Sequence, residues 1–354
     1  MRNLHYIVCV AALAVVASLA PGSASAQQDP MFTKYMFNSV GFNPAYAGTK
    51  EYLSATAIVR DQWLSWSKGS ESYGGGAPVT YVATVHSPFQ ERVGLGGYLG
   101  QDHIGSSTFT ELNAFYAYKM PLSDEMTLSL GLQGGVTHHS YDFSGLHFRE
   151  NPALDPSFQN QDGQSWMPNA GAGAYFYTDK FYFGASVPRM FETRLQEVEI
   201  IETSTPGIGR ARNYRHMYVA TGGAIPLGSK DLVFKPSLLV KGVGWLGDFA
   251  ASSQSVDVVR TPTEFDIDVS LLIRQVLWIG GSFRSTFDYI FEGKSSHDSA
   301  DLWAAFYLDN GLRIGLAYDY SLTELQQFGN GSAELMIGYD LNFSVDKIVT
   351  PRYF

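Results

Sequence analysis

Residues 263–274 read TEFDIDVSLLIR, and this stretch decides the fold. Phe265, Ile267, Val269, Leu271 and Ile273 share one parity, while Glu264, Asp266, Asp268, Ser270 and Leu272 share the other. Period-two alternation marks a strand whose two faces meet different surroundings. It recurs over 311–321 (Leu312, Ile314, Leu316, Tyr318, Tyr320) and over 332–343 (Ala333, Leu335, Ile337, Tyr339, Leu341, Phe343). Leu302, Ala304, Phe306 and Leu308 repeat it. A soluble sandwich alternates too, so the pattern alone does not say what the apolar face touches.

The connections narrow the choice. Strands read near 51–62, 78–87, 92–101, 108–120, 125–141, 166–178 and 181–188, then 213–225, 232–243, 263–274, 276–287, 299–309, 311–321 and 331–343. These fourteen segments are joined alternately by short and long links. Pro88–Glu91, Pro121–Asp124, Thr178–Lys180, Pro226–Asp231, Gln275 and Asn310 are tight. The links 63–77, 142–165, 189–212, 244–262 and 288–298 are long, with shorter members at 102–107 and 322–330. Outer-membrane barrels combine an even strand number with tight periplasmic turns and long external loops. The expectation is therefore an all-β chain, a transmembrane antiparallel barrel of about 14 strands over 51–343. An even count puts both termini on the periplasmic side. Tyr141, Trp166, Tyr182, Trp303 and Tyr320, close to strand ends, are expected in the interfacial girdles.

Composition agrees with a barrel. The 354 residues are 45% apolar, 14% aromatic and only 16% charged, against the roughly 25% charge of soluble domains. A mean hydropathy of -0.07 is too low for a helical membrane protein, and no apolar run after residue 26 approaches a helical span. A net charge of -10 without any basic run excludes a nucleic-acid partner and leaves the lipid bilayer as the expected surroundings.

Residues 1–26 read as a secretory signal, with Arg2, an apolar run from Ile7 to Ala20, and Ala24-Ser25-Ala26 as the cleavage pattern. Cleavage after Ala26 removes Arg2 and no acid, leaving 23 basic and 34 acidic residues, a net -11. It also removes Cys9, the only cysteine, so the mature chain has neither a disulfide nor a thiolate site. The segment 27–50 precedes the first strand and is rich in Met, Phe and Tyr, from Met31 to Tyr46. So apolar a stretch either plugs the barrel or docks on a partner. Residues 344–354 form a periplasmic tail.

A search for catalytic or metal chemistry is nearly empty, so neither an enzyme nor a cofactor is expected. Gly223 to Lys230 resembles a phosphate loop, but its Lys and Ser stand in the wrong order and Pro226 points to a turn. His138 and His139 face opposite ways on one strand, as do His86 and Ser87, so neither pair makes a metal or nucleophile site. Glu264, Asp266 and Asp268 read as lumen carboxylates answered by Arg274, Arg284 and Arg313.

The chain carries an ordered set of motifs. QDPMFTKYMFN (28–38) and NPAYAG (43–48) come first, followed by Arg60-Asp61-Gln62-Trp63 and Gly-Ala-Pro-Val-Thr (76–80). Gly94-Leu-Gly-Gly97, Asp102-His-Ile-Gly105, Tyr116-Ala-Tyr118, Pro236-Ser237 and Phe283-Arg284 follow in that order. Ala317-Tyr-Asp319, Gly331-Ser-Ala-Glu334 and the terminal Pro351-Arg-Tyr-Phe354 complete it. This order resembles the PorP/SprF family, outer-membrane proteins of the type IX secretion and gliding machinery of Bacteroidota. The resemblance implies a non-catalytic barrel that supports export or surface anchoring of adhesin-like proteins bearing a C-terminal secretion domain. It also implies contact with periplasmic type IX components. On the matching positions, Tyr35, Phe37, Asn43, Pro44, Tyr46, Gly48, Arg60, Gln62 and Trp63 are candidate partner contacts. Asp319 and Glu334 join the expected lumen charges. A plugged barrel that transports small solutes is the alternative, and an outer-membrane hydrolase ranks last.

Overall fold

Strands in a hydrocarbon layer must leave no backbone edge unpaired, which forces the first strand to meet the last. The computed structural model describes residues 32–64, 76–142, 164–194, 212–213, 215–243, 263–287, 297–327 and 329–341. Its strands are β1 Leu53–Asp61, β2 Val79–Gln90, β3 Val93–Ile104, β4 Ser107–Pro121, β5 Thr127–Tyr141, β6 Gln164–Tyr177 and β7 Phe181–Val187. They continue with β8 His216–Gly223, β9 Ser229–Val243, β10 Glu264–Ile273, β11 Leu277–Thr286, β12 His297–Tyr307, β13 Leu312–Ser321 and β14 Ser332–Leu341. Every neighbour in sequence is an antiparallel neighbour in space. β1 pairs with β14 from Leu53↔Leu341 to Asp61↔Ala333, which closes the ring. Ile225–Leu227 prolongs β8 against β9, and Thr193–Arg194 pairs with Arg212–Asn213 in a separate two-strand ladder. The expected signal segment, 1–26, and the expected tail, 344–354, lie outside the described residues.

All fourteen expected strands are present, with ends within a few residues of the sequence reading. The alternation sorts as expected too. Ile267 and Val269 are exposed on the outer wall, while Asp266, Asp268 and Ser270 are buried in the lumen. Leu302, 74% exposed, lies between inward Asp301 and Trp303, which shows how cleanly the wall separates its faces. His138 and His139 do face apart, packing on Trp166 and on Phe109 respectively.

Three expectations are corrected. Trp303 and Tyr182 are not girdle residues, since both are buried inside the barrel. Nearness to a strand end does not decide the face; parity does, and Trp303 shares the parity of Asp301 and Ala305. Arg274 is not a lumen charge. The β10 strand ends at Ile273, and Arg274 (φ 51) and Gln275 (φ 58) form the exposed corner of the hairpin. The Val276 amide donates to the Ile273 carbonyl at 3.0 Å, closing a two-residue turn of the primed type that matches strand twist.

The core of the molecule lies within the ring. Tyr35, Val40, Ala45, Tyr46 and Ala47 cluster with Tyr175, Tyr182, Tyr218 and Leu239 of the wall. Phe37 joins Ile58, Trp278, Trp303 and Met336 in a second cluster.

Candidate functional site

Residues 32–50 fill the lumen as a chain of short helical turns, Tyr35–Phe37, Ser39–Phe42 and Pro44–Tyr46. The last turn has local causes. Pro44 suits a first helical position because its missing N–H would have no partner there. The Asn43 side-chain oxygen caps the turn by accepting from the Ala45 amide at 3.0 Å. The Asn43 amide nitrogen then donates to the Ala174 carbonyl of β6 at 3.1 Å, and the Ser186 hydroxyl donates to the Phe42 carbonyl at 2.6 Å.

The wall is cut away where the plug touches it. A Cβ on Gly131 would stand 2.1 Å from the Ala45 nitrogen, and one on Gly94 would stand 2.0 Å from the Ala47 oxygen. Only glycine permits backbone to approach backbone this closely. Gly48 (φ +69) ends the plug. Its amide donates to His86 Nδ1 at 3.2 Å, and Lys119 Nζ donates to its carbonyl at 3.0 Å.

Aromatic contacts fix the middle. The Phe37 ring lies 4.8 Å from Trp278 and 5.6 Å from Trp303, centroid to centroid. Tyr46 meets His86 and Tyr175 edge-on, and the Tyr35 hydroxyl is 2.7 Å from the Ser237 hydroxyl. Pairs of this geometry add roughly 0.5–1.5 kcal/mol each beyond area burial.

The upper end is held by charge. Arg60 Nη1 lies 2.5 Å from Asp319, 2.7 Å from Glu334 and 3.2 Å from the Thr33 hydroxyl. Thr33 donates its amide to Glu334 at 2.6 Å and its hydroxyl to Asp319. The Lys34 amide donates to the other Glu334 oxygen at 3.3 Å. Burial draws the Lys34 ammonium down to about 8, against the upward pull of Glu334 and then Asp319. Each buried charge here has opposite-sign partners, the condition under which buried charges persist.

Three further groups line the lumen. Asp266 takes Arg284 at 2.6 Å and Lys241 at 3.0 Å, and Arg284 also donates to the Phe32 carbonyl at 3.5 Å. Asp268 accepts from the Trp303 indole at 2.9 Å, while Lys235 Nζ sits 3.6 Å over the Trp278 ring. Arg313 pairs with Asp340 at 2.9 Å and donates to Ser54 and Thr56.

The expected lumen charges therefore divide among several groups. Arg284 answers Asp266 as expected. Arg313 serves Asp340 on the neighbouring β14, Arg274 serves none of the acids on β10, and Glu264 stands at the upper end of β10, half-buried. Among the candidate partner contacts, Tyr35, Phe37, Asn43, Pro44, Tyr46, Gly48 and Arg60 are buried within the lumen. Gln62 and Trp63 lie beyond the upper end of β1 and are half-buried. The sequence reading overlooked Thr33, Lys34, Lys235, Lys241 and Asp340. Lys235, Lys241 and Asp340 had a signal, because each sits at inward parity on its strand; Thr33 and Lys34, in the plug, had none. Among the described residues no group of His, Cys, Asp and Glu could hold a metal ion.

The sequence pattern of the family described as "Type IX secretion system membrane protein PorP/SprF" matches residues 24–339. The chain belongs to the PorP/SprF family. Its family motifs, scattered through the sequence, converge in space: Thr33 of the opening motif meets Arg60, Asp319 and Glu334 of three later ones. This PorP/SprF barrel is also similar to solved outer-membrane proteins. The CymD monoaromatic hydrocarbon channel is 13% identical (TM-score 0.48), covering 86% of this chain and 91% of its own. The Ralstonia pickettii toluene transporter TbuX is 11% identical (TM-score 0.47; 85% and 92%). A Pseudomonas aeruginosa FadL homologue is 14% identical (TM-score 0.44; 86% and 94%). No curated protein sequence matches the chain.

Proposed function

We propose that this barrel is a non-enzymatic holder in the outer membrane. In this reading it supports type IX secretion or surface anchoring of adhesin-like substrates through their C-terminal domains. One observation carries the reading: the chain's own segment 32–50 occupies the lumen, clasped at both ends. A barrel filled in this way favours holding other proteins over conducting solutes. Family membership supplies the secretion system, and periplasmic type IX components are the expected partners on the short-turn side, where β14 ends. Gln62 and Trp63 are the candidate contacts nearest the long-loop mouth. Deletion of the gene should abolish surface display of at least one protein with a C-terminal secretion domain. Intact display of every such protein would end this reading.

A second reading, transport of small solutes, has one observation in its favour. A cavity of about 80 Å³ lies between plug and wall, lined by Phe42, Tyr98, Glu111, Arg189 and Tyr218 among others. Its size suits a few waters or a very small solute. Solute-dependent conductance of the purified barrel would favour transport, and electrically silent bilayers would favour the holder.

A further inference from the structure

The ladder of the wall stops early beside β6. This strand pairs with β5 over its whole length, from Tyr177↔Thr127 to Gln164↔Ser140, but with β7 only from Tyr177↔Tyr182 to Ala172↔Val187. After Val187 the chain turns into the lumen instead of continuing upward. The Pro188 backbone folds over Gly171, where a Cβ would stand 2.3 Å from the Pro188 oxygen, and that oxygen accepts from the Gln133 side chain at 2.8 Å. Arg189 then lies 3.7 Å from Glu111 of β4. The Met190 amide still donates to the Ala170 carbonyl at 2.8 Å, and the Asn169 side chain holds both backbone groups of Phe191. Thr193–Arg194 has left the barrel sheet for its own ladder. On the far side β8 reaches no higher, since it begins at His216 and its pairing with β7 begins at Tyr218↔Ser186. The upper part of β6 therefore projects past both of its neighbours on that side.

The chemistry of this projecting stretch is defined. The Thr178 amide donates to the Phe181 carbonyl and Ala170 accepts from Met190, so the even-numbered residues of β6 turn their backbone groups toward the β7 side. Above Ala170 these are Pro168, Trp166 and Gln164, and among the described residues no strand pairs with them there. The Ala170 amide is taken by the Asn169 side-chain oxygen at 2.9 Å. Pro168 has no N–H to leave unmatched, as suits a proline on a sheet edge. The edge thus consists of the amides of Gln164 and Trp166 and the carbonyls of Gln164, Trp166 and Pro168. From Gln164 to Asn169 it carries no charged side chain, the usual guard against pairing with another chain, and Pro168 protects only its base. Donors and acceptors at two-residue spacing are complemented by an extended peptide laid alongside. Resting on the holder reading above, we propose that Gln164–Pro168 is the docking edge for an extended segment of the held protein's C-terminal domain, which joins the sheet as a strand beside β6. The barrel then holds its client backbone to backbone at the long-loop mouth, with the lumen still filled by the plug.

The test uses the full barrel in lipid nanodiscs, with purified C-terminal secretion domains encoded in the same genome as probes. Hydrogen exchange of the peptide covering residues 164–169 is followed by mass spectrometry. The Gln164 and Trp166 amides should exchange fast in the barrel alone and slow down when a domain binds. Trp166→Pro removes an edge amide that β5 does not use, and should weaken binding about tenfold or more, whereas Trp166→Phe keeps the backbone and should bind within about twofold of the parent. Heat-modifiable gel migration checks that each variant folds; should Trp166→Pro fail, exchange in the parent barrel decides. A domain that binds without slowing these amides would overturn the edge and leave the holder reading standing. So would equal weakening by both substitutions, which would assign the binding to the indole. Amides already slow in the barrel alone would show the edge covered by the chain itself, and would also overturn the inference. Binding of none of the domains to the parent would end the holder reading, and this inference with it.

Discussion

Arg60 and Glu334 stand directly opposite each other on β1 and β14, and their side chains meet at 2.7 Å inside the lumen. The pair straddles the seam that closes the barrel, and the same carboxylate accepts from the amides of Thr33 and Lys34. Wall closure and plug retention therefore share one group. Breaking a buried pair costs about 3–5 kcal/mol because the surviving charge is stranded. Asp319 remains on Arg60, so Glu334→Ala should fall at the lower end of that range. Combined with Arg60→Ala, it should cost less than the sum of the single changes, with a coupling of about 1–3 kcal/mol. Urea unfolding in detergent micelles measures this, and strict additivity would show that the pair contributes nothing.

Gly131→Ala tests how the plug is seated. The added Cβ would collide with the backbone of Ala45, which has no side-chain freedom with which to yield. We expect the lower half of the plug to leave the wall and the barrel to acquire ion conductance in planar bilayers. A variant as silent as the parent, with equal protease resistance of residues 32–50, would show that the close approach is dispensable.

Phe37→Ala removes the ring wedged between Trp278 and Trp303. Deleting a buried Phe costs about 3–5 kcal/mol, through lost transfer energy and the cavity left behind. Both indoles should gain contact with water, so the tryptophan emission should shift to longer wavelength. An unchanged spectrum would place the emission elsewhere among the tryptophans.

Lys34 gives the plug a pH dependence. Its folded value, lowered from 10.5 to about 8, means that the docked plug holds this proton less tightly than the released chain does. Docking is therefore strongest above the unfolded value, weakens as pH falls from about 10.5 to about 8, and is flat below that. Lys34→Met should abolish this slope. Protease protection of the plug, followed across that window for both proteins, reads it directly, and equal slopes would assign the effect to other groups.

Much of this architecture was legible in the sequence because a barrel writes its wall as alternation. Thr263–Arg274 alone separates lipid face from lumen face, and the alternating loop lengths give the strand number. What alternation does not encode is which inward side chains come within reach of one another. Arg313 looked like a partner for the acids of β10, yet β13 is three strands away and the guanidinium reaches Asp340 on the adjacent β14 instead. Arg274 had the right charge and parity but lay one residue past the strand end. The aromatic plug residues were conspicuous as a group, while their seats on Gly94 and Gly131 were not, because a gap in the wall leaves no mark beyond a glycine.

The clasp around Thr33 also carries information about time. Its ligands come from the opening segment, the first strand and the last two strands, so it cannot be completed until the chain's far ends have met. A barrel still open at its seam keeps its amino-terminal segment unfastened. The latch is a record, written in the finished molecule, that assembly has reached its end.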